Sequence, residues 1–253
     1  MSHLARLVAQ SVADAHARQS LPLPVAPALR KVPRTGLIAE VKRASPSRGA
    51  INPGLDPAQL AQAYERGGAG LVSVLTERQS FGGSLEDLRA ARAAIALPVL
   101  RKDFLVEEFQ IREARAHGAD AVLLIAAAAE APLLRDLRLL ARELGLTVLF
   151  EVHEAGELDA AALCEPDLLG INARDLKTLE VRHDTFEKLA PLARGIAPLV
   201  AESGVKTAAD ARRYRELGAA MLLVGEALSS AADPAAAARA LVAASGGHGE
   251  GGA

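Results

Sequence analysis

Polar side chains able to move protons close one apolar run after another in this sequence. Glu40 and Lys42 end GLIAEVK, Arg101-Lys102-Asp103 end LPVLRKD, Glu151 sits near the end of TVLFEV, Asn172 ends LLGIN, and Glu202 precedes Ser203 and Gly204 after PLVA. A free lysine titrates near ~10.4 and a free glutamate near ~4.3, so at neutral pH one is an acid and the other a base. Glu40 and Lys42 are two residues apart, a spacing that sends both side chains from one face of a strand. Carrying such groups into an interior costs dehydration free energy, which ion partners or a bound substrate must offset. Any one of them alone is equally an ion pair plugging the fold. Their recurrence at the same end of each run favours a site.

The elements that position these groups form one repeating unit. After about residue 35 the apolar runs GLIAEVK, GLVSVL, LPVLRKD, ADAVLLIA, TVLFEV, LLGIN, PLVAES and AMLLVGE alternate with amphipathic helical patterns. Asp56 is the expected N-cap of one helix, with Pro57 at its first position, and Ser84/Asp87 and Thr207/Asp210 have capping-box spacing. Gly67, Gly118, Gly145 and Gly218 stand where helices should stop. Strand–helix units recurring every ~20 to 35 residues imply a parallel sheet with right-handed crossovers. A doubly wound open sheet competes, but no GxGxxG loop follows the first strand. Eight units in this length predict an α/β fold, a closed (β/α)8 TIM barrel. Residues 1–246 are expected to form a single domain, with an N-terminal extension to about residue 34 that holds a helix from Leu4 to Gln19 and the segment LPLPVAP. The glycine-rich tail, 247–253, is expected to be disordered.

In such a barrel the C-terminal ends of the strands converge on the rim that carries the active site. The polar residues above all arrive there. Ser203 and Gly204 follow the seventh strand and Gly225 follows the eighth, ahead of the short helical piece EALSS. These loops are the recurrent phosphate site of the fold, where small residues let backbone N–H groups approach closely. Asn172 is one of only two asparagines in the chain, and it reads either as a site residue or as a turn-former before ARDL.

Composition narrows the function classes. A formal net charge of −2 over 253 residues gives no electrostatic footprint for nucleic acid or a membrane surface. No apolar run approaches the roughly 20 residues that cross a bilayer, and MSHLARLVAQSVADAHARQ is too polar for a signal-peptide core. The single cysteine, Cys164, permits no intrachain disulfide, so a cytoplasmic location is expected. His3, His16, His117, His153, His183 and His248 lack ligand spacing, and only His153 lies close to the rim. Neither a metal nor another cofactor is expected. The absence of an apolar stripe beyond the barrel helices suggests a monomer.

In order along the chain, IAEVKRASPSRG, LRKDF, GADAVLLIAA, LFEVH, LLGINARDL, VAESGV and LLVGEAL resemble the indole-3-glycerol phosphate synthase family. The likeness runs from the N-terminal helix to the last helix, and EVKRASPSRG with GINARDL is its most specific part. It implies ring closure of 1-(2-carboxyphenylamino)-1-deoxyribulose 5-phosphate to indole-3-glycerol phosphate, with loss of carbon dioxide and water, in tryptophan biosynthesis. The implied partner is therefore a small phosphorylated substrate. By the same resemblance Lys102 is the general acid at the carbonyl, Glu151 serves the later dehydration, and Glu40 and Asn172 orient and stabilise developing charge. Lys42 reaches the phosphate and assists in acid–base steps, while Glu202 lies near the substrate hydroxyls. Ser203, Gly204 and Gly225 match the phosphate loops, and Ser45 and Arg174 match positions near the anthranilate carboxylate. Pro46, Phe81, Phe104, Leu123 and Leu176 match the pocket for the aromatic ring, although by their own chemistry each is equally a packing residue. Glu226 departs from the pattern, since some members carry serine there. Its carboxylate should turn away from a phosphate and leave only its backbone N–H in use.

Two other readings lose. A phosphoribosylanthranilate isomerase would be expected to carry a cysteine base on its first strand, whereas Glu40 and Lys42 stand here and Cys164 lies in the helical segment ELDAAALC. A scaffold protein on an enzyme fold would tolerate loss of the proton-transfer set, yet Lys102, Glu151 and Asn172 are all present.

Overall fold

The structure, a computed structural model, describes residues 2–176 and 178–246. The tail expected to be disordered, 247–253, lies outside the described residues. Eight parallel strands follow one another around a closed barrel: β1 (Gly36–Val41), β2 (Leu71–Leu75), β3 (Val99–Lys102), β4 (Ala121–Ile125), β5 (Thr147–Val152), β6 (Leu168–Asn172), β7 (Leu199–Glu202) and β8 (Met221–Val224). Each pairs with its neighbours in sequence, and β8 closes on β1 through Gly36 opposite Met221 to Ala39 opposite Val224. The doubly wound alternative is excluded by that closure.

Helices return the chain between strands, and their ends are set by the residues expected to set them. The helix α1 (His3–Arg18) precedes the barrel, and α2 (Pro57–Arg66) begins where Asp56 accepts the N–H groups of Ala58 and Gln59. At α3 (Leu85–Ala94) the Ser84 side chain accepts from the Asp87 N–H. The remaining helices are α4 (Glu108–Ala116), α5 (Ala131–Glu143), α6 (Leu158–Cys164), α7 (Thr185–Leu189), α8 (Ala208–Glu216), α9 (Glu226–Ser229) and α10 (Pro234–Ala244). Thr207 and Asp210 form a reciprocal capping box at the start of α8. After α2 it is Gly68, with φ of 85°, that takes the left-handed conformation, while Gly67 remains right-handed.

Strand alternation produces two cores. Ile38, Leu71, Leu100, Leu123, Leu149, Leu168, Val200, Met221 and Leu223 fill the barrel interior. Val72, Val74, Val99, Val122, Phe150 and Leu222 face outward onto the helices. Full burial of each such side chain is worth about 1.5–3 kcal/mol. Leu4 and Leu7 of α1 join the interior core together with Phe104 and Ile125, so the extra helix packs where the rim is open. Ser11 of α1 donates to Asp103 Oδ1 at 2.8 Å, and Arg18 pairs with Glu113 at 2.7 Å.

The stretch around SPSRG is a small hairpin, with Ala44–Ser45 pairing antiparallel with Gly49–Ala50. One local feature differs from expectation. Arg101 was expected on the rim with Lys102, but it points out of the barrel toward Gln110 and Glu113 of α4. Neighbouring strand residues take opposite faces, so only one of the pair can enter the barrel.

Candidate active site

Fourteen of the sixteen side chains or glycines expected at the site line one cavity of about 550 Å³ at the C-terminal ends of the strands. They are Glu40, Lys42, Phe81, Lys102, Phe104, Leu123, Glu151, Asn172, Arg174, Leu176, Glu202, Ser203, Gly204 and Gly225. Ser45 and Pro46 are not on its wall. Ser45 is buried within the hairpin, where its hydroxyl accepts the Arg48 N–H at 3.3 Å.

On the floor, Lys102 Nζ lies 3.4 Å from Glu151 Oε2 and 3.7 Å from Glu202 Oε2. Burial opposes the lysine charge, but Glu151, Glu202 and Glu40 outweigh it and hold the amine above its ordinary range. Burial would also raise Glu151, yet Lys102 and then His153 keep its carboxyl well below the usual carboxylate range. Glu202 goes the other way: burial and the neighbouring Glu151 push it well above. Glu202 faces the Glu151 carboxyl, and no N–H or hydroxyl of the described residues donates to its oxygens. The two carboxyls thus titrate as a pair whose proton rests on Glu202. The floor thus sets an amine held toward its charged form beside one carboxyl held toward its ionised form and another held toward its neutral form.

Glycines make room for this. A Cβ at Gly170 would strike Glu202 Oε1, and one at Gly225 would strike Glu40 Oε1. Gly225 therefore serves the Glu40 carboxylate as well as its own loop. Lys42 Nζ sits 3.4 Å from Glu40 Oε1 and 5.6 Å from the centre of the Phe81 ring. Phe81 and Phe104 stand side by side, with ring centres 6.3 Å apart.

Asn172 shapes a turn and also lines the cavity. Its Oδ1 accepts the Arg174 N–H at 3.0 Å, as a turn-former would, and the Ser203 hydroxyl at 2.8 Å. That hydroxyl holds a tight turn in which Ser203 and Gly204 have φ of 64° and 82°. Arg174 Nη1 donates to Ser47 Oγ at 3.1 Å and to the Leu179 carbonyl at 2.8 Å, tying the hairpin to the loop after β6. Glu226 lines the cavity with its carboxylate drawn to Arg48 Nη1 at 3.0 Å.

Sequence reasoning passed over Glu77, whose buried carboxylate accepts the N–H groups of Gln79, Ser80 and Phe81 and so sets the Phe81 loop. The signal was the same as elsewhere, since Thr76-Glu77 closes the run GLVSVL. Ser47, Arg48, His183 and Lys206 also line the cavity and carry no such signal. Among the described residues no group of three or more His, Cys, Asp or Glu could hold a metal ion, and no helix is long and apolar enough to cross a membrane.

A closed (β/α)8 barrel with an acid–base cluster on the floor of its C-terminal cavity defines a barrel enzyme of general acid–base chemistry. Comparison with known proteins makes this specific. The family model described as indole-3-glycerol phosphate synthase matches residues 4–241, and the chain belongs to that family. Indole-3-glycerol phosphate synthase of Mycolicibacterium smegmatis is 53% identical over 221 residues, covering 87% of this chain and 81% of that one. The protein of that name from Mycolicibacterium gilvum is 51% identical over 241 residues, covering 94% and 88%. Among solved structures, 3-hexulose-6-phosphate synthase from Salmonella typhimurium superposes with a TM-score of 0.68 at 16% identity, covering 83% of this chain and 98% of that one. Thiamine phosphate pyrophosphorylase from Pyrococcus furiosus gives 0.63 at 17% identity, covering 83% and 95%. At such identities these two likenesses concern the fold alone.

Proposed function

We propose that this enzyme closes 1-(2-carboxyphenylamino)-1-deoxyribulose 5-phosphate to indole-3-glycerol phosphate, releasing carbon dioxide and water, as a lyase of tryptophan biosynthesis. The observation that carries the reading is Lys102 lying between Glu151 and Glu202 on the cavity floor. In the first step the ring carbon that bears the carboxylate bonds to the ketone carbon while Lys102 gives its proton to the ketone oxygen. The carboxylate then leaves as carbon dioxide, and its bonding pair returns to the ring. Finally the new hydroxyl departs as water with a proton from a site lysine, as Glu151 removes a proton from the adjacent carbon to leave the indole double bond. Glu40 and Asn172 orient the reacting centre and stabilise the charge that develops there.

The remaining assignments are those that the family resemblance implies, and the cavity gathers most of the residues concerned. Lys42 with Ser203, Gly204 and Gly225 takes the phosphate, and Glu202 meets the sugar hydroxyls. Arg174 takes the anthranilate carboxylate, while Phe81, Phe104, Leu123 and Leu176 enclose the ring. Ser45 and Pro46 act through the hairpin rather than as part of the wall. Residues 1–246 work as a single domain, a monomer in the cytoplasm, which size-exclusion chromatography with light scattering would check. The function itself is tested by incubating the purified protein with the substrate and following indole absorbance and carbon dioxide release. Inorganic phosphate should compete with the substrate. No indole product from folded protein would overturn the reading.

A further inference from the structure

We propose that His153 is a positioning residue for the Glu151 base, clamping one oxygen of that carboxylate from outside the cavity. The inference rests on the reading of Glu151 as the base given above. His153 follows β5 directly, and its ring is largely buried, with 12% of the side chain exposed. Its Nε2 lies 3.1 Å from Glu151 Oε1 and its Nδ1 lies 3.6 Å from Glu157 Oε2. Glu157 Oε2 also accepts the His153 backbone N–H at 2.6 Å, so the same carboxylate anchors both the main chain and the ring. On the opposite side, Glu151 Oε2 faces Lys102 Nζ at 3.4 Å. His153 is not among the residues that line the cavity. The base is thus gripped by one cation from the substrate side and by another from behind.

Two consequences follow from that arrangement. A carboxylate with a different cation on each oxygen is restrained in rotation, so Oε2 stays directed into the cavity while Oε1 is held away from it. Neither ring nitrogen is aligned for a good hydrogen bond, so the grip is chiefly one of charge. The second consequence concerns the proton shared by the two floor carboxyls. The charged groups facing them are Lys102 from β3, Glu40 from β1 and His153 at the end of β5. Lys102 touches both Glu151 and Glu202, whereas of these two carboxyls His153 pairs only with Glu151. His153 therefore breaks the near symmetry of the pair and settles the negative charge on Glu151. Burial opposes a charged ring, but the flanking Glu151 and Glu157 carboxylates hold its pKa up to about 10, so the clamp persists across the neutral range.

The test compares wild type with His153→Ala and His153→Asn by pH profiles of kcat and by nitrogen NMR of the imidazole. His153→Ala should lower kcat roughly tenfold, less than loss of the base itself, while KM changes by less than about twofold. Its acid limb should move toward neutral pH, because Glu151 then competes less well against protonation. His153→Asn, which keeps a polar group but no charge, should recover little of kcat and none of the position of the limb. In wild type the ring should remain protonated through neutral pH. A folded His153→Ala protein with unchanged kcat and acid limb, or a wild-type ring titrating near the ordinary 6.5, would overturn the proposal. If His153→Ala does not fold, Glu157→Gln provides the same reading. The ring's titration midpoint should then fall, with a smaller loss of kcat, and an unmoved midpoint counts against the clamp. Should wild type fail to turn over the substrate, the functional reading falls instead, and the ring NMR still decides whether the clamp exists.

Discussion

On the outer face of β3 the Arg101 guanidinium donates to Thr76 Oγ1, the Gln110 carbonyl, Glu113 Oε2 and Asp103 Oδ2, all within 3.1 Å. The carboxylates it meets are engaged in turn, Asp103 by Ser11 and Thr76 and Glu113 by Arg18. One residue along, on the inner face, Lys102 reaches two carboxylates at 3.4 and 3.7 Å, and Glu202 shares a proton with Glu151 but receives no N–H or hydroxyl of its own. Both clusters are buried and both contain charges of each sign. The outer one is satisfied, with Asp103 its one member at the cavity wall, as a structural tie between barrel and helices should be. The inner one is held but incompletely used, and it opens on the cavity, where a substrate can supply the missing contacts. Satisfaction, more than burial, separates the tie from the site.

The sharpest way to break this comparison is to remove one cation from each cluster. Lys102→Ala should reduce kcat by about 10² to 10⁴, the usual size for loss of a general acid, with much less effect on ground-state binding. Single-turnover kinetics on protein checked by circular dichroism would measure it. A kcat near wild type would move the acid role to Lys42. Arg101→Ala should do the reverse. Leaving Asp103 and Glu113 buried without it should cost roughly 3–5 kcal/mol in urea denaturation, while kcat of the folded fraction stays within a few-fold. A stable but inactive Arg101→Ala protein would show that the outer cluster belongs to the site.

The two clusters should also answer pH with opposite sign. Burial and Glu151 raise Glu202, so the folded state binds its proton more tightly than the unfolded chain does. That contribution is present at low pH and is lost as pH rises above the ordinary glutamate value. The melting temperature of Glu202→Gln should therefore gain on wild type as pH rises from about 4.5 toward neutral. Asp103 is lowered, for although burial opposes its charge, Arg101, Thr76, Ser11 and the Phe104 N–H outweigh it. Its contribution is present above the ordinary aspartate value and is lost as pH falls. Asp103→Asn should thus be destabilised at neutral pH, with the gap to wild type closing under acid. Parallel pH curves for the two variants would remove the distinction.

Part of this was legible in the sequence. TVLFEV and LLGIN coincide with β5 and β6 residue for residue, and the N-caps of α2, α3 and α8 were read correctly, although of the box expected at Ser84 and Asp87 only the Ser84 half forms. The arrival of polar groups at one rim was legible too, because in a parallel barrel each strand's C-terminus points the same way. Which face each charge takes was not. Barrel strands are buried on both sides, so Val99-Leu100 gives no phase to the Arg101-Lys102-Asp103 that follows. The hairpin around Ser45 and Pro46 escaped because two-residue strands carry no hydrophobic period. Gly170 and Gly225 read as packing or loop glycines, since the carboxylates that need their empty space come from other strands. His153 stood out as close to the rim, but its partner Glu157 is presented by the one-turn helix Ala155–Glu157, which the pattern does not reveal.

The smallest expected effect tests whether the two clusters are independent. Ser11 reaches across from α1 to donate to Asp103 Oδ1, and its hydroxyl accepts from Gln110 Nε2 at 3.1 Å. In Ser11→Ala the Asp103 oxygen still accepts the Phe104 N–H at 2.8 Å, and Gln110 keeps the Phe104 carbonyl at 3.2 Å. Neither group is therefore orphaned, and the loss should be that of an ordinary buried hydrogen bond, about 1 kcal/mol. For a chain of this size that is a fall of roughly 2–4 °C in melting temperature. Because the change leaves every contact of Lys102 in place, kcat should remain within about twofold of wild type. Calorimetry and steady-state assays on one preparation would read both quantities. A fall in kcat of tenfold or more beside so small a thermal shift would mean that α1 acts on Lys102 or Phe104 through the backbone at 102–104, and the two faces of β3 would then have to be treated as one cluster.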